Sequence, residues 1–361
     1  MACTTRKTGF ALLVCLLLAS CSGTKTTTTA SASTNEKPIG TVISVSPPLG
    51  LPPVPEFPAN PVTAEAVALG RKLFYDSKLS MDDTVSCGSC HNSRFGYSDG
   101  LRTSLGMGGK RGRRNAPTVV NSVYASLQFW DGRATNLEEQ AAAPIANPLE
   151  MSMTHDLVAT TLDSDPVYKE MFAKAFGPGP VTIRKIQNAI AAFERTIISG
   201  NSPFDRYQYG GDKSALSSAA IRGLAVFTDP KRGNCNACHI IGEKYALFSD
   251  GQFHNLGIGL DAEGELKDMG RYEVTKDPKD MGAFRTPSLR NISESAPYMH
   301  DGSIGTLKAV VDFYVGGGSS NPNRDKKIKE LNLSGQERSD LVEFLNSLTG
   351  ELPKDIERPP S

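Results

Sequence analysis

The sequence has no excess of charge of either sign, because 39 lysine and arginine residues balance 39 aspartate and glutamate residues. This balance argues against the basic surface of a nucleic-acid-binding protein. Long apolar runs are scarce as well, since the run from Phe10 to Ala19 is too short to span a bilayer. No segment shows a convincing series of alternating strands. What remains is globular composition over 361 residues, long enough for two domains, with 34 glycines and 23 prolines that indicate many loops.

Cysteine is also scarce, and none is left for a disulfide bond. Cys3 and Cys15 lie in a predicted signal peptide, and Cys21 follows it directly. The other four form two Cys-x-x-Cys pairs, and each pair is followed at once by a histidine. The two motifs are Cys87-Gly-Ser-Cys90-His91 and Cys235-Asn-Ala-Cys238-His239.

Cys-x-x-Cys-His is the pattern that attaches c-type haem. Each thiol adds across a haem vinyl group, and the histidine becomes the proximal ligand of the iron. Two Cys-x-x-Cys pairs could instead form a structural zinc site with four thiolates. Zinc does not require a histidine after both pairs, so the sequence favours two covalently bound haems.

The segment 1–20 is predicted to be a lipoprotein signal peptide rather than part of the fold. Arg6 and Lys7 precede the apolar run, and the segment ends in Leu-Ala-Ser before Cys21, which is similar to a bacterial lipobox. In a lipoprotein the signal is cut before this cysteine, which then carries the lipid. A plain secretory signal cut nearby is the alternative. We expect a periplasmic protein anchored to a membrane by lipidated Cys21.

An internal repeat extends well beyond the two haem motifs. Each copy has Gly-x-x-x-Phe, then Cys-x-x-Cys-His, then an aromatic residue followed by Ser-Asp-Gly. Downstream, each copy has the pattern Pro-x-x-x-Asn and then an Asp-Gly pair, at the same distance from the proline in both copies. The matched residues are Pro117 and Pro287, Asn121 and Asn291, and, directly before Asp-Gly, Trp130 and His300. Two copies of one cytochrome c-like domain are the simplest interpretation.

The predicted fold is therefore mainly α, with two cytochrome c-like haem domains related by internal duplication and long loops. We place a disordered tether rich in serine, threonine and proline at residues 21–60. The N-terminal haem domain takes residues 61–213, the C-terminal haem domain residues 214–350, and a tail residues 351–361. Thr63 is the expected N-cap of the first helix. Apolar spacing predicts further helices within residues 181–199, 306–314 and 331–348.

With these motifs the chain resembles the bacterial di-haem cytochrome c peroxidases, including the MauG branch that matures methylamine dehydrogenase. The resemblance covers about residues 60–350. Its specific motifs are Arg114-Asn-Ala-Pro-Thr118, Gln128-Phe-Trp-Asp-Gly-Arg133, Glu139-Gln-Ala-Ala142, Pro144-Ile-Ala-Asn-Pro148 and Pro297-Tyr-Met-His-Asp-Gly302. It implies that the N-terminal haem is peroxidatic and that the C-terminal haem handles electrons.

The resemblance also implies three catalytic residues. Glu150 matches the distal carboxylate, Gln140 the neighbouring amide that orients peroxide, and Trp130 an indole that relays electrons between the haems. Cleavage of the O–O bond requires a proton to leave one oxygen and reach the other, which a carboxylate above the iron can accomplish. Without the resemblance, Glu150 would be a solvated charge and Trp130, the single tryptophan, a core residue.

A calcium ion between the haems is implied as well. Asn115 matches its side-chain ligand, and the backbone carbonyls of Ser295 and Pro297 match the other protein ligands. Oxygen ligands of this kind suit calcium. His300 matches a structural histidine near this ion.

Two positions depart from the pattern of many family members. Tyr314 stands at the distance from His300 at which many members have a methionine ligand of the C-terminal haem and MauG has a tyrosine. A tyrosinate should lower the potential of that haem; a core tyrosine with Met299 as ligand is the alternative. Met107 stands at the distance before Asn115 at which many members have a histidine that closes the resting peroxidatic haem. Methionine binds ferric iron weakly, so we expect an open or loosely capped site.

Three functions follow as hypotheses. The first is a peroxidase that reduces hydrogen peroxide with electrons from a small c cytochrome or copper protein. The second is a MauG-like oxidase that uses two high-valent haems to oxidise a residue of a partner protein. The third is a non-catalytic electron-transfer cytochrome, which would not need Glu150 or Gln140. A membrane is expected as a partner only through the lipid anchor, nucleic acid is not expected, and the chain could form a homodimer.

Overall fold

Short helices separated by long loops make up residues 36–357, the part of the chain that the computed structural model describes. The predicted signal peptide, Cys21 and the start of the predicted tether lie outside these residues. The α-helices of the described part are α1 Ala64–Tyr75, α2 Cys87–Cys90, α3 Leu137–Ala146, α4 His155–Ser164, α5 Pro166–Phe176, α6 Ile183–Glu194, α7 Pro203–Gln208, α8 Ser218–Thr228, α9 Tyr272–Thr275, α10 Leu307–Val315 and α11 Gly335–Asn346.

A single small sheet accompanies these helices within residues 36–357. Strands β1 (Phe253–His254) and β2 (Phe284–Arg285) pair in antiparallel fashion, with Phe253 opposite Arg285. The prediction of a mainly helical fold is confirmed. In this range, no helix has the length and apolar character that a membrane crossing requires.

Helix α1 shows how the sequence fixes these elements. The Thr63 hydroxyl accepts a hydrogen bond from the N–H of Ala66 at 3.2 Å, which makes Thr63 the N-cap that the sequence predicts. Leu69, Leu73 and Phe74 then recur at helical spacing and are fully buried. One face of α1 therefore packs into the core of the N-terminal half.

The internal duplication reappears as the same helix packing in both halves. In the N-terminal half α1 packs against α6, and a Cβ atom on Gly70 would overlap the carbonyl oxygen of Ala189. In the C-terminal half α8 packs against α11, and a Cβ atom on Gly223 would overlap the carbonyl oxygen of Asp340. Each half has its own hydrophobic core built around one of these helix pairs.

Residues 36–60 have a fixed course over both halves, unlike the disordered tether expected there. The N–H of Ile39 donates to the carbonyl oxygen of Ala175 at 2.9 Å. The Gly50 carbonyl accepts from the guanidinium group of Arg290 at 2.6 Å, and Leu51 is buried. Backbone hydrogen bonds and apolar contacts thus hold the segment despite its many prolines.

The segments at the two ends of the C-terminal half also extend beyond the expected boundary. Helix α7 precedes residue 214, yet its Phe204 packs against Phe248 and Phe344 of the C-terminal core, with ring centroids 5.2 and 5.7 Å apart. In the tail, Ile356 is only 3% exposed and belongs to the N-terminal core. The two halves therefore exchange flanking segments.

Candidate di-haem site

One connected cavity of about 930 Å³ reaches both Cys-x-x-Cys-His motifs. Cys90 and His91 line it from the N-terminal half, and Cys235, Cys238 and His239 line it from the C-terminal half. Each motif forms one helical turn, in which the histidine N–H donates to the carbonyl oxygen of the first cysteine at 2.9 Å. The turn brings the second thiol and the imidazole to the cavity in both motifs, and the first thiol as well in the C-terminal one, whereas Cys87 packs against the N-terminal core.

The two histidines are held in the orientation that iron ligation requires. His91 Nδ1 lies 3.2 Å from the carbonyl oxygen of Tyr97, and His239 Nδ1 lies 2.8 Å from that of Phe248. Tyr97 and Phe248 both have positive φ angles, 59° and 51°, which turn these carbonyls toward the rings. Burial lowers the pKa of both histidines, so the rings are neutral. With Nδ1–H donating to a carbonyl, Nε2 remains available to a metal.

The cysteines fit thioether attachment of haem better than a zinc site. Burial raises the pKa of Cys90 to about 11 and that of Cys235 to about 12, so these thiols are protonated. Within residues 36–357, the one cluster of three or more cysteine, histidine or acidic side chains that could hold an ion is Cys238, Asp250 and His254. The four cysteines do not converge, which excludes the four-thiolate zinc site. Two thiols with an adjacent neutral histidine in each half match the donor set of haem c.

Glu150 and Gln140 both line this cavity, from helix α3 and the loop that follows it. Helix α3 begins after Asn136, whose side chain accepts from the N–H of Glu139, and it turns Gln140 and Pro144 toward the cavity. Glu150 follows the helix and accepts from Asn147 Nδ2 at 2.6 Å. Burial raises the pKa of Glu150, while the charge of Arg133 and the bond from Asn147 act against this rise. The carboxyl group can therefore exchange a proton nearer to neutral pH than an exposed glutamate.

Trp130 lies where the two halves meet. Its Nε1–H donates to the carbonyl oxygen of Asn115 at 2.9 Å, and its own carbonyl accepts from the N–H of Arg285 in β2 at 2.8 Å. The indole lines the cavity that both motifs share.

Comparison with known proteins assigns this architecture. Residues 64–214 match the family model for di-haem cytochrome c peroxidase. The chain is 43% identical to the methylamine utilization protein MauG of Methylorubrum extorquens over 299 residues, and this alignment covers 82% of each chain. It is 39% identical to the cytochrome c551 peroxidase of Nitrosomonas europaea, over 81% of this chain and 83% of that one. The chain belongs to the di-haem cytochrome c peroxidase family. It is accordingly an oxidoreductase of the two-haem type.

A solved structure agrees with this assignment. A MauG-like protein associated with microbial copper homeostasis is similar with a TM-score of 0.73 and 34% identity, over 86% of this chain and 95% of that one. The diheme peroxidase BthA from Burkholderia thailandensis is similar in fold, with a TM-score of 0.69 at 22% identity, over 89% and 99% of the two chains.

The residues expected to bind calcium line the same cavity as the two motifs. Asn115, Ser295 and Pro297 all line the shared cavity. The N–H of Asn115 donates to the carbonyl oxygen of His300 at 2.8 Å, which fixes the two halves against each other here. The His300 ring stacks on Phe284 with centroids 3.5 Å apart, and burial lowers its pKa to about 4.

Tyr314 and Met107, the two departures from the family pattern, occupy different places. Tyr314 projects from the last turn of α10 into the cavity, as does Met299 from its loop, and burial raises the Tyr314 pKa. Met107 packs against the N-terminal core instead, and neighbouring Gly106 lines the cavity. The N–H of Met107 donates to the carbonyl oxygen of Glu150 at 2.8 Å.

Two charged residues of the site were not singled out from the sequence. The positive charge of Arg133 acts to lower the pKa of Glu150. The position of Arg133 at the end of the motif Gln128–Arg133 is the sequence feature that could have identified it. Glu194 lines the cavity from the end of α6 and is 3% exposed. The helical pattern of α6 gave no signal for it, because a glutamate at the end of an amphipathic helix is usually solvated.

Proposed function

We propose that this protein reduces hydrogen peroxide to water in the periplasm, with electrons that enter at the C-terminal haem from a small c cytochrome or copper protein. The observation that carries the proposal is that Glu150, a half-buried carboxyl group with a raised pKa, and Gln140 both line the cavity that His91 also lines. An electron-transfer cytochrome has no use for such a carboxyl group in the pocket.

His91 and His239 would hold the two irons through Nε2, and Cys87, Cys90, Cys235 and Cys238 would attach the two porphyrins. When bound, the haems would carry to peroxide the two electrons that the donor protein gives up, which together with two protons from solvent yield two water molecules. Gln140 orients peroxide by hydrogen bonding, and Glu150 moves a proton from one peroxide oxygen to the other. The raised pKa of Glu150 suits a group that must accept and return a proton. Trp130 relays electrons between the halves.

The proposed protein also carries a calcium ion, a further haem ligand and a lipid. Calcium binds to Asn115 Oδ1 and the carbonyl oxygens of Ser295 and Pro297, which is supported by their place on one cavity and by their oxygen chemistry. Tyr314 would ligate the iron of the C-terminal haem, and Met107 would bind that of the N-terminal haem at most weakly. A lipid on Cys21, expected from the sequence, attaches the protein to a membrane.

Oxidation of a residue on a partner protein is the second candidate function. Tyr314 favours it, because a tyrosine ligand is the feature that the sequence shares with MauG, and Tyr314 faces the cavity. A MauG protein is also among the relatives at 43% identity. Steady-state turnover with a soluble electron donor separates the two functions.

The test is peroxide consumption by the exported holoprotein with reduced cytochrome c as donor. Glu150→Gln should keep both haems, as seen by mass spectrometry, and lose about 10²- to 10⁴-fold in turnover, because the proton shuttle is gone. Glu56→Gln, an exposed carboxyl, is the matched control and should keep full turnover. Turnover near wild type in Glu150→Gln would remove Glu150 from the mechanism, and no turnover in the wild type would favour the partner-protein oxidase.

A further inference from the structure

The duplication allows each residue of the N-terminal pocket to be compared with its counterpart in the C-terminal pocket. Ala189 and Phe193 of α6 contact Gly70 as Asp340 and Phe344 of α11 contact Gly223. Just beyond these helices, the carbonyl oxygen of Ile197 accepts from the N–H of Asn121, as that of Leu348 accepts from Asn291. The correspondence therefore holds on both sides of Glu194, the residue after Phe193.

The counterpart of Glu194 is Leu345, the residue after Phe344. Both side chains are buried and both line the cavity. Leu345 belongs to an apolar cluster, as expected for this position. The N-terminal pocket thus has an ionisable group where the C-terminal pocket has a hydrocarbon.

One carboxyl oxygen of Glu194 lacks the partner that would explain its burial as structural. Its Oε2 atom is buried and accepts no hydrogen bond. Burying a carboxyl oxygen without a hydrogen-bond partner costs free energy. Such atoms occur where the missing partner is a bound group or where the carboxyl group is protonated. The charged form is disfavoured here, because burial raises the pKa of Glu194 to about 8.

The charges around Glu194 leave it able to change its protonation state. Arg195 lowers its pKa, but this guanidinium is shared with Glu138 of α3 at 2.7 Å, and Glu138 raises the pKa again. Cys87 of α2 is also near Glu194, but as a haem thioether it would not titrate. Other polar groups on helices packed against α6 are bound elsewhere: Glu65 to Thr41, Arg71 to the Glu357 carbonyl, Lys72 over the Tyr168 ring and His155 to the Ala142 carbonyl.

We propose that Glu194 is a proton-accepting group coupled to the N-terminal haem, so that one electron entering that haem is accompanied by one proton passing from solvent to the Glu194 carboxylate. The electron adds negative charge to the pocket, and neutralising a carboxylate there offsets it. By thermodynamic linkage, protonation of Glu194 favours reduction of the haem by the same free energy by which reduction favours protonation of Glu194. The C-terminal haem, beside Leu345, lacks this coupling.

This inference rests on haem attachment at the first motif, which is part of the proposed function, and does not require peroxide to be the substrate. The experiment is a spectroelectrochemical titration of the exported holoprotein from about pH 6 to pH 10, a window that brackets the expected pKa. The reduction potential of each haem is followed through its own absorption bands. Three proteins are compared: wild type, Glu194→Gln and the exposed control Glu56→Gln.

In the wild type and in Glu56→Gln, we expect the N-terminal potential to fall as pH rises through the pKa of Glu194. In Glu194→Gln that fall should be absent, because the amide does not titrate. A variant with the wild-type slope would overturn the inference. Absence of haem from the first motif by mass spectrometry would overturn the proposed function with it, whereas two haems and a pH-independent wild-type potential would overturn this inference alone.

A second measurement covers the case in which Glu194→Gln does not fold. Redox-difference infrared spectra of the wild type near pH 8 should show a carbonyl band of a protonated carboxylic acid that gains intensity on reduction. Glu194→Asp should shift the frequency of that band. No gain of such a band on reduction of the N-terminal haem would also overturn the inference.

Discussion

At the scale of single residues, the two carboxyl groups of the N-terminal pocket differ in what surrounds them. Glu150 accepts a short hydrogen bond from Asn147 and feels the charge of Arg133, so it is held in place and can still ionise. Glu194 has an unpartnered oxygen and a higher pKa. The first arrangement suits a group that handles protons at a substrate, and the second suits a group that responds to charge in the pocket.

Met107 provides a prediction at the same scale. Its side chain packs against the N-terminal core, and Gly108 and Gly109 beside it have positive φ angles and no atoms near a would-be Cβ. Methionine is also a weak ligand for ferric iron. The fully oxidised protein should therefore contain one high-spin haem that binds cyanide without added reductant.

Absorption and electron paramagnetic resonance spectra before and after cyanide check this expectation. Met107→His is the informative variant, because it restores the residue found in many relatives and should convert the site to low spin. If the wild type shows two low-spin haems that ignore cyanide until an electron is added, another residue caps the iron and reductive activation applies.

At the scale of elements, sequence patterns predicted helices where an apolar face repeats and a capping residue precedes it. Thr63 caps α1 as expected, and α10 and α11 begin inside the predicted ranges 306–314 and 331–348, after the caps Thr306 and Ser334. The apolar pattern over residues 181–199 continues past Glu194, where α6 ends. The residues after the helix are apolar because they are buried in an irregular segment: the Ile197 side chain is buried, and its carbonyl oxygen accepts a hydrogen bond from the N–H of Asn121. Local periodicity cannot separate these two causes of burial.

The glycine contacts between paired helices give a prediction for these elements. Gly70→Ala should destabilise the N-terminal half by about 1–3 kcal/mol, because the added methyl group overlaps the Ala189 carbonyl and the helices must separate. Gly223→Ala should have the same effect on the C-terminal half through Asp340.

Denaturant unfolding of the holoprotein measures both changes. Gly335→Ala is the matched control, since this glycine opens α11 and has open space around its would-be Cβ. It should be neutral or slightly stabilising, because alanine favours helix more than glycine does. Equal stability of all three variants would mean that the helix pairs tolerate a wider separation than their packing indicates.

At the scale of the whole molecule, the sequence predicted two duplicated units but not how they are joined. The motifs of the internal repeat occur once in each half, whereas the contacts that join distant segments of the chain come from residues without a repeat signal. Arg114 donates to Asp268 at 2.7 and 2.8 Å, and the buried guanidinium of Arg290 bonds Asp205 and the Gly50 carbonyl. Partners so distant from each other in sequence carry no local pattern that identifies them.

The ion pair between Arg114 and Asp268 gives the last prediction, because it joins the two halves beside Trp130 and its pH response has a definite sign. Burial acts to raise the pKa of Asp268, but the hydrogen bonds and charge of Arg114 outweigh it and lower the pKa to about 2. A carboxyl group whose pKa is depressed in the folded state stabilises the fold above its unfolded pKa and loses this contribution as pH falls toward the folded pKa. From the depression below 3.8, this contribution is on the order of 2 kcal/mol at neutral pH.

Asp268→Asn should therefore lower the free energy of unfolding at pH 7, and the difference from wild type should shrink as pH falls from about 5 to about 3. Asp355→Asn, an exposed carboxyl near the end of the chain, is the control and should show no such difference. Denaturant unfolding at several pH values measures this difference in the free energy of unfolding. The haem content is checked at each pH. If the difference stays constant with pH, the effect of Asp268 comes from packing rather than from its charge. If there is no difference at pH 7, Asp131, which lies 2.6 Å from Arg114, is sufficient to hold the guanidinium group in the absence of the Asp268 carboxylate.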